Sequence, residues 1–504
     1  MKNQSAVIIG GGVGGLFTGA FLAKNGVKVT VLEKNPVYGG GLQCFSRRGK
    51  IFETGMHVMG GFGKDGVLTK ICRYLGIYDD LNIRHIPTEC MDEIYYAHNG
   101  ERFSIGSGKE RYIESIASCF PEERENLIRY VDNMFELTTE LPLFYLKENV
   151  GRQPDHSDMF TWPADRFIAH FIKDEKLQEL LAYLNPLYAG VKGHTPVYIH
   201  ALINTLFING PSRFEGGSQQ LADALKKIIE QNEGLVLCNK EVTGIYTEDR
   251  LIAGITTSDE SVYTGDWYVS AIHPTVLTRL LPPGAFRRSF IRRLEEIPNS
   301  CSAFSLYIDL KPDMFPYIDH TCYFIEDHGL MWNQDKVNSN GNPRAFMYMT
   351  PPDVEQGEYA SRLLVHCVMS FDEVRRWEES RLNARDNDYK LWKKQIEEKI
   401  ISKLETLYPN LRDMIEAIYS SSPLTIRDFF NTKEGSMFGY SKDTDCMLLS
   451  HLPVHTKVKN LLLTGQNVNL HGICGVPLTA IHTSEAILGN NKLVNAINKA
   501  NESE

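Results

Sequence analysis

Apolar residues open the chain as a short run, Ser5 to Ile9, and then change rhythm. After a glycine-rich turn, Leu16, Phe17, Ala20, Phe21 and Ala23 fall on one helical face, Gly26 supplies a stop, and Val27, Val29 and Val31 alternate as a strand. The pattern predicts a strand, a helix and a second strand in one βαβ unit. Further on, Leu177, Leu180, Leu181 and Leu184 repeat at helical spacing, as do Ile199, Leu202, Ile203 and Leu206. Tyr198, Phe207 and Ile208 make the second of these helices apolar almost all round, which suits core packing or the wall of a lipophilic tunnel. Leu391, Ile396, Ile400, Leu404 and Leu407 predict an amphipathic helix with a solvated face. Near the far end an apolar strand, Leu461 to Thr464, leads into Gly465-Gln466-Asn467 and a helix whose first turn is expected at Pro477.

Composition narrows the classes. With 504 residues, 42% of them apolar and 23% charged, the chain has the makeup of a globular protein large enough for two joined domains. A formal charge of −10 argues against a nucleic-acid partner. Ten cysteines lie scattered from Cys44 to Cys474 without a CxxC pair or zinc-ligand spacing, so reduced thiols in the cytoplasm and no metal are expected. Residues 5 to 23 imitate the apolar core of a signal peptide, but they hold six glycines and run on into an alternating strand. Arg287-Arg288-Ser289-Phe290-Ile291-Arg292-Arg293 is either a solvated helix face or a peripheral contact with an anionic membrane.

The turn after the first strand reads Gly10-Gly11-Gly12-Val13-Gly14-Gly15, a G-x-G-x-x-G at Gly10, Gly12 and Gly15. Glycines let backbone approach a pyrophosphate, and the helix start offers it unpaired N–H groups and positive dipole. Glu33, ending the second strand beside Lys34, is placed to accept hydrogen bonds from an adenosine ribose and would repel a 2′-phosphate. FAD or NAD fits; NADP fits poorly. No second βαβ dinucleotide unit follows, so electrons must enter or leave through the substrate site, a docking donor or an external acceptor.

Beyond the second strand come Gly39, Gly40 and Gly41, and then Phe52-Glu53-Thr54-Gly55-Met56-His57-Val58-Met59-Gly60. With Phe214-Glu215-Gly216-Gly217-Ser218, Ser300 to Tyr307 and Leu463-Thr464-Gly465-Gln466-Asn467, these segments resemble the phytoene desaturase family over nearly the whole chain. The likeness is greatest to its retinol saturase and carotenoid isomerase branch. The resemblance implies an α/β fold in which a Rossmann-type FAD-binding domain of amine oxidase type is interleaved with an α+β substrate domain. The FAD-binding parts would be residues 1–100, 214–298 and 425–490, the substrate parts 101–213 and 299–424, and 491–504 a polar tail. It also implies FAD contacts from Gly40, Gly41, Gly55, Met56, Val242, Gly465, Gln466, Val476 and Pro477. The family's basic residue after the double glycine is Gly41 here, and Glu53 stands where aspartate is commoner.

The activity implied is addition or removal of hydrogen at a carbon–carbon double bond of a lipophilic polyene, with an unidentified electron partner. Redox-neutral isomerisation with reduced FAD, and a prenyl-lipid binding module without chemistry, are the alternatives. A proton must accompany any hydride. His57 is the first candidate to supply it, because the family places its segment beneath the isoalloxazine and imidazole titrates near neutral pH. Tyr188, His471 and Cys474, in substrate-facing or flavin-facing loops, are further candidates.

Overall fold

The computed structural model describes residues 4–55, 57–149, 156–446 and 451–502. Met56 lies outside the described residues.

Five short strands, each apolar and backed by helices, form a wholly parallel sheet in the order Leu461–Leu463, Trp267–Ser270, Ser5–Ile9, Lys28–Leu32, Leu235–Leu237. Parallel strands need helices on their faces, so their side chains are buried rather than alternating. Ala6 to Ile9 are at most 3% exposed. The first strand occupies the centre, with Ala6 opposite both Val29 and Trp267. The helix Val13–Lys24 follows it and packs between Gln219–Gln231 and Gly472–Leu488. The two ends of the chain therefore meet on one side of one sheet.

A second sheet of seven strands runs Ile415–Ser421, Ser302–Leu310, Arg362–Met369, Ala345–Met349, Thr321–Ile325, Asp92–Tyr96, Glu101–Ile105. All its pairings are antiparallel except Thr321–Ile325 with Asp92–Tyr96. The hairpin Asp92–Ile105 spans the expected boundary at 100/101, so both sides of that boundary lie in one sheet. Along Arg362–Met369 the alternation is two-sided. Leu363, Val365, Cys367 and Met369 join a core with Ile396, Ile400 and Leu404. Leu364, His366 and Val368 point the other way.

Three sequence expectations shift. The leucines at 177–184 do not share one helix: it ends at Leu180, and the chain continues through turns to a short 3-10 turn at Asn185–Leu187. Pro186, having no N–H and restricting Asn185 before it, would bar a regular helix from running past Leu184 in any case. The helix Asn387–Glu405 forms, but Leu391 is 59% exposed and Tyr389 and Trp392 turn inward instead. In Arg288–Glu296, Phe290 and Ile291 pack against the main core rather than facing out with the arginines. Among the described residues no helix is long and apolar enough to cross a membrane.

Candidate functional site

Four glycine segments converge at the start of the helix Val13–Lys24. Gly10 turns the chain with a φ of +102°, a conformation side chains rarely adopt. A Cβ on Gly14 would stand 2.9 Å from Cα of Gly465, and one on Gly40 would stand 3.0 Å from Cα of Gly12. A Cβ on Gly55 would lie at ordinary contact distance, 3.4 Å, from the carbonyl oxygen of Gly41, and one on Gly41 would lie 3.7 Å from the Phe430 ring. Backbone thus meets backbone, and Val476 packs against Gly14. No side chain caps the helix at Gly12, and none caps the helix Gly472–Leu488 at His471. Two sets of unpaired N–H groups and two positive dipole ends are left at this cradle.

Glu33 is 7% exposed; Oε2 accepts the Gly11 N–H at 2.8 Å and Oε1 that of Asn35 at 2.8 Å. Each carboxylate oxygen keeps a lone pair for a ribose hydroxyl. Lys240 N–H donates to the Glu33 carbonyl, which brings the strand beginning at Val242 alongside. The donor set, the acceptor and the cradle fit the adenosine diphosphate half of FAD.

Lys34 directs its ammonium to the carbonyl of Asp428 at 2.8 Å, and Asn35 reaches that of Phe429 at 3.0 Å, so the pair straps down the helix Pro423–Phe430. Pro477 lies inside its helix rather than in the first turn, because that helix already begins at Gly472. Gln466 follows Gly465 at the cradle's edge, half-buried.

Beyond Gly55 the second sheet supplies residues that sequence reasoning missed. The His57 ring stacks on that of His366, centroids 4.2 Å apart and planes 14° from parallel. His366 Nδ1 lies 2.9 Å from Ser305 Oγ, and Tyr307 on the same strand as Ser305 donates to the Thr54 carbonyl at 3.4 Å. Among the described residues, His57 Nδ1 and His366 Nε2, both shut off from solvent, have no hydrogen-bond partner. Burial, with His366 and Arg213 nearby, holds His57 well below the ordinary imidazole range, and burial brings His366 down to about 4. The pair is therefore uncharged at neutral pH. Glu53 is pushed up to about 7 by burial, against the pull of Arg362, Ser218 and Arg213.

The remaining candidates divide. Cys474 donates its thiol to the Gly60 carbonyl at 3.2 Å, tying the helix Gly472–Leu488 to the loop that carries His57; burial pushes it up to about 12. His471 stands at the N-cap position of that helix, beside Phe438, without a side-chain cap bond, and among the described residues its buried Nε2 has no partner. Tyr188 stands apart, donating to Asn185 Oδ1 and lying 2.9 Å from Nδ1 of His200, whose Nε2 meets the Tyr130 hydroxyl at 2.6 Å.

Buried imidazoles make stability pH-dependent. Burial lowers His200 and His471 to about 3 and His273, His366 and His451 to about 4. The unfolded chain, protonating near 6.5, binds more protons across the window below that value, so stability rises with pH there. The melting temperature is expected to fall as pH drops from about 6.5 towards 4. A His200→Gln variant should show a flatter profile, and an unchanged slope would remove His200 from the effect.

Known proteins share this architecture. Over 543 aligned residues the chain is 24% identical to all-trans-retinol 13,14-reductase of Danio rerio, covering 99% of this chain and 88% of that protein. It is 23% identical to 4,4'-diapophytoene desaturase of Staphylococcus haemolyticus, covering 95% and 98%. An oxidoreductase from Methanosarcina mazei superposes with a TM-score of 0.65 at 17% identity, covering 96% of this chain and all of that one. The model of the flavin containing amine oxidoreductases matches residues 13–488, and the chain belongs to that family of FAD-dependent oxidoreductases.

Proposed function

We propose that the protein adds or removes hydrogen at a carbon–carbon double bond of a lipophilic polyene, isoprenoid in kind. The observation that carries this reading is the uncharged His57–His366 pair, its nitrogens unpartnered, beside the glycine cradle. The relatives that act on retinol and diapophytoene support the substrate class, as does the helix Val197–Ile208, which is buried on nearly every side. Gly10, Gly12, Val13, Gly14, Gly15 and Glu33 would hold the adenosine diphosphate half of FAD. Gly40, Gly41, Gly55, Gly465, Gln466 and Val476 would line the rest. FAD, when bound, supplies the capacity to take up or release a hydride.

The chain's own part is the proton. Two stacked, half-buried imidazoles whose facing nitrogens are shut off from water cannot both be charged, and each gains a proton when negative charge appears next to it. The pair therefore couples proton movement to charge entering the site, as donor in saturation and acceptor in desaturation. Ser305 fixes the orientation of His366 from behind. The electron partner is a soluble donor or acceptor that docks transiently. A cytoplasmic protein touching a membrane surface would do so through Arg287, Arg288 and Arg292.

Anaerobically reduced protein mixed with carotenoids, retinol, unsaturated fatty acids and enone steroids is expected to return to the oxidised flavin spectrum with a polyene alone. The product should differ by two hydrogens. An unchanged product mass would mean isomerisation, and colourless protein that releases no flavin on denaturation would overturn both enzymatic readings.

A further inference from the structure

Resting on the proposed hydrogen transfer, we infer that Asp92 is the proton store of the site: it returns to the His57–His366 pair the proton that the pair gives up, and takes one back in the reverse reaction. An uncharged pair holds no surplus proton. Donating one would leave an imidazolate, so a second group must resupply it.

The seven-stranded sheet places that group. His366 is opposite Met347, and Met347 is opposite Tyr323, so the three side chains share one face. Thr321, two residues before Tyr323, lies on that face too, with Asp92 opposite it on the next strand. Asp92 and Tyr323 are each 1% exposed. Tyr183 donates to Asp92 Oδ2 at 2.9 Å and sets its ring edge-on to that of Tyr323, centroids 5.4 Å apart. The strand of Tyr323 stands between those of Asp92 and His366, and among the described residues its hydroxyl has no hydrogen-bond partner. A phenol hydroxyl both donates and accepts, so Tyr323 can pass a proton along this face without changing charge.

Asp92 is also free to titrate. Asp309, equally buried, is ion-paired to Lys50 and Arg48 and serves as a structural carboxylate. Asp92 makes no ion pair among the described residues. Arg213 acts on it electrostatically but directs its N–H groups to Thr321 Oγ1 at 3.1 Å and to the carbonyls of Ile318 and Thr350. Burial pushes Asp92 up to about 7, against the Tyr183 hydrogen bond and Arg213. The other ionisable groups facing it, Tyr112, Tyr183, Tyr323 and Cys90, are raised by burial and stay protonated at neutral pH. Glu53 titrates in the same range but points elsewhere. Phe52 packs on Leu364, Met349 and Tyr307, so Glu53, next along the strand, faces away from the sheet, towards Gly217 and Ser218.

In saturation the alkene π bond gives way to two C–H bonds, one made with a hydride that FAD supplies and one with a proton from the pair. The Asp92 carboxyl then protonates the pair and ends as a carboxylate in the field of Arg213, to be reprotonated from water between turnovers. Desaturation runs the same proton the other way.

The first test needs no substrate. Anaerobic reduction of the flavin-loaded protein at about pH 6 should bleach a carboxylic-acid C=O band in the infrared difference spectrum, as the pair draws a proton from Asp92. The band should shift in heavy water and be absent from Asp92→Asn. A parent spectrum without it, or a band that Asp92→Asn keeps and Glu53→Gln removes, would overturn the inference. Should Asp92→Asn fail to fold, Tyr183→Phe, which strips one hydrogen bond from Asp92, is expected to shift the same band, and an unmoved band counts against Asp92. The second test is the pH profile of polyene turnover. An ionisation near 7 is expected, with the rate falling above it in saturation and rising in desaturation. Asp92→Asn should lose that ionisation and about 10²-fold in kcat, and Asp92→Glu should keep it. A purely structural role would lower flavin content and melting temperature in both variants and leave the ionisation in place. If no polyene turned over, the hydrogen-transfer reading would fall, and the infrared result would still decide for or against Asp92.

Discussion

Replacing His57 by alanine is expected to leave FAD bound at parental stoichiometry while lowering kcat about 10²-fold. The same loss is expected for His366→Ala, though His366 lies on a strand of the other sheet. The two act as one unit because stacking at 4.2 Å lets either ring accept charge only at the other's expense. The double variant should therefore be no slower than the worse single one. Flavin absorbance reports retention, and turnover on a polyene reports the rest. Parental turnover in His57→Ala would take the pair out of the mechanism. Multiplied losses in the double variant would instead show two independent contributions.

The second large effect concerns the glycine turn, where neighbouring positions should fail differently. A Cβ at Gly15 would sit 2.0 Å from the carbonyl oxygen of Gly10, whose N–H is itself anchored to Leu32. Gly15→Ala must therefore displace the turn, at about 3 kcal/mol by the measure of overpacked cores. That cost falls on the folded protein itself, so the flavin-free protein should melt at a clearly lower temperature, and FAD, meeting a displaced turn, should bind at least about tenfold more weakly. At Gly12 the backbone has a φ of −77°, which alanine adopts freely, and a Cβ would meet nothing nearer than 3.9 Å. Gly12→Ala is expected to melt like the parent and yet bind FAD at least about tenfold more weakly, because the methyl intrudes only on the anion's space. Equal FAD affinity in Gly12→Ala and parent would show that the pyrophosphate does not lie against this turn.

These glycines were legible because turn chemistry is local: a strand, a tight turn and an uncapped helix start leave their mark within thirty residues of sequence. Glu33 was legible for the same reason. The His57–His366 stack was not, since it joins a loop to a strand far along the chain. One signal was available: in Arg362-Leu363-Leu364-Val365-His366-Cys367-Val368-Met369 a lone imidazole interrupts a doubly buried strand. Pro477 misled through a sound preference for first turns, applied without knowing that Gly472 starts the helix. Leu391 misled because a helix with two large aromatics, Tyr389 and Trp392, rotates to bury those first.

The strand order has a consequence for synthesis. Ser5–Ile9 leaves the ribosome long before Trp267–Ser270 and Leu461–Leu463, which complete its sheet, and before Gly472–Leu488, on which its helix packs. Contacts this distant in sequence slow folding, and the unpaired edges of a half-made parallel sheet invite association with other chains. The nascent nucleotide-binding unit must wait through most of translation for its last partners. Chaperone demand and flavin supply during expression should consequently govern yield more than the stability of the finished protein does.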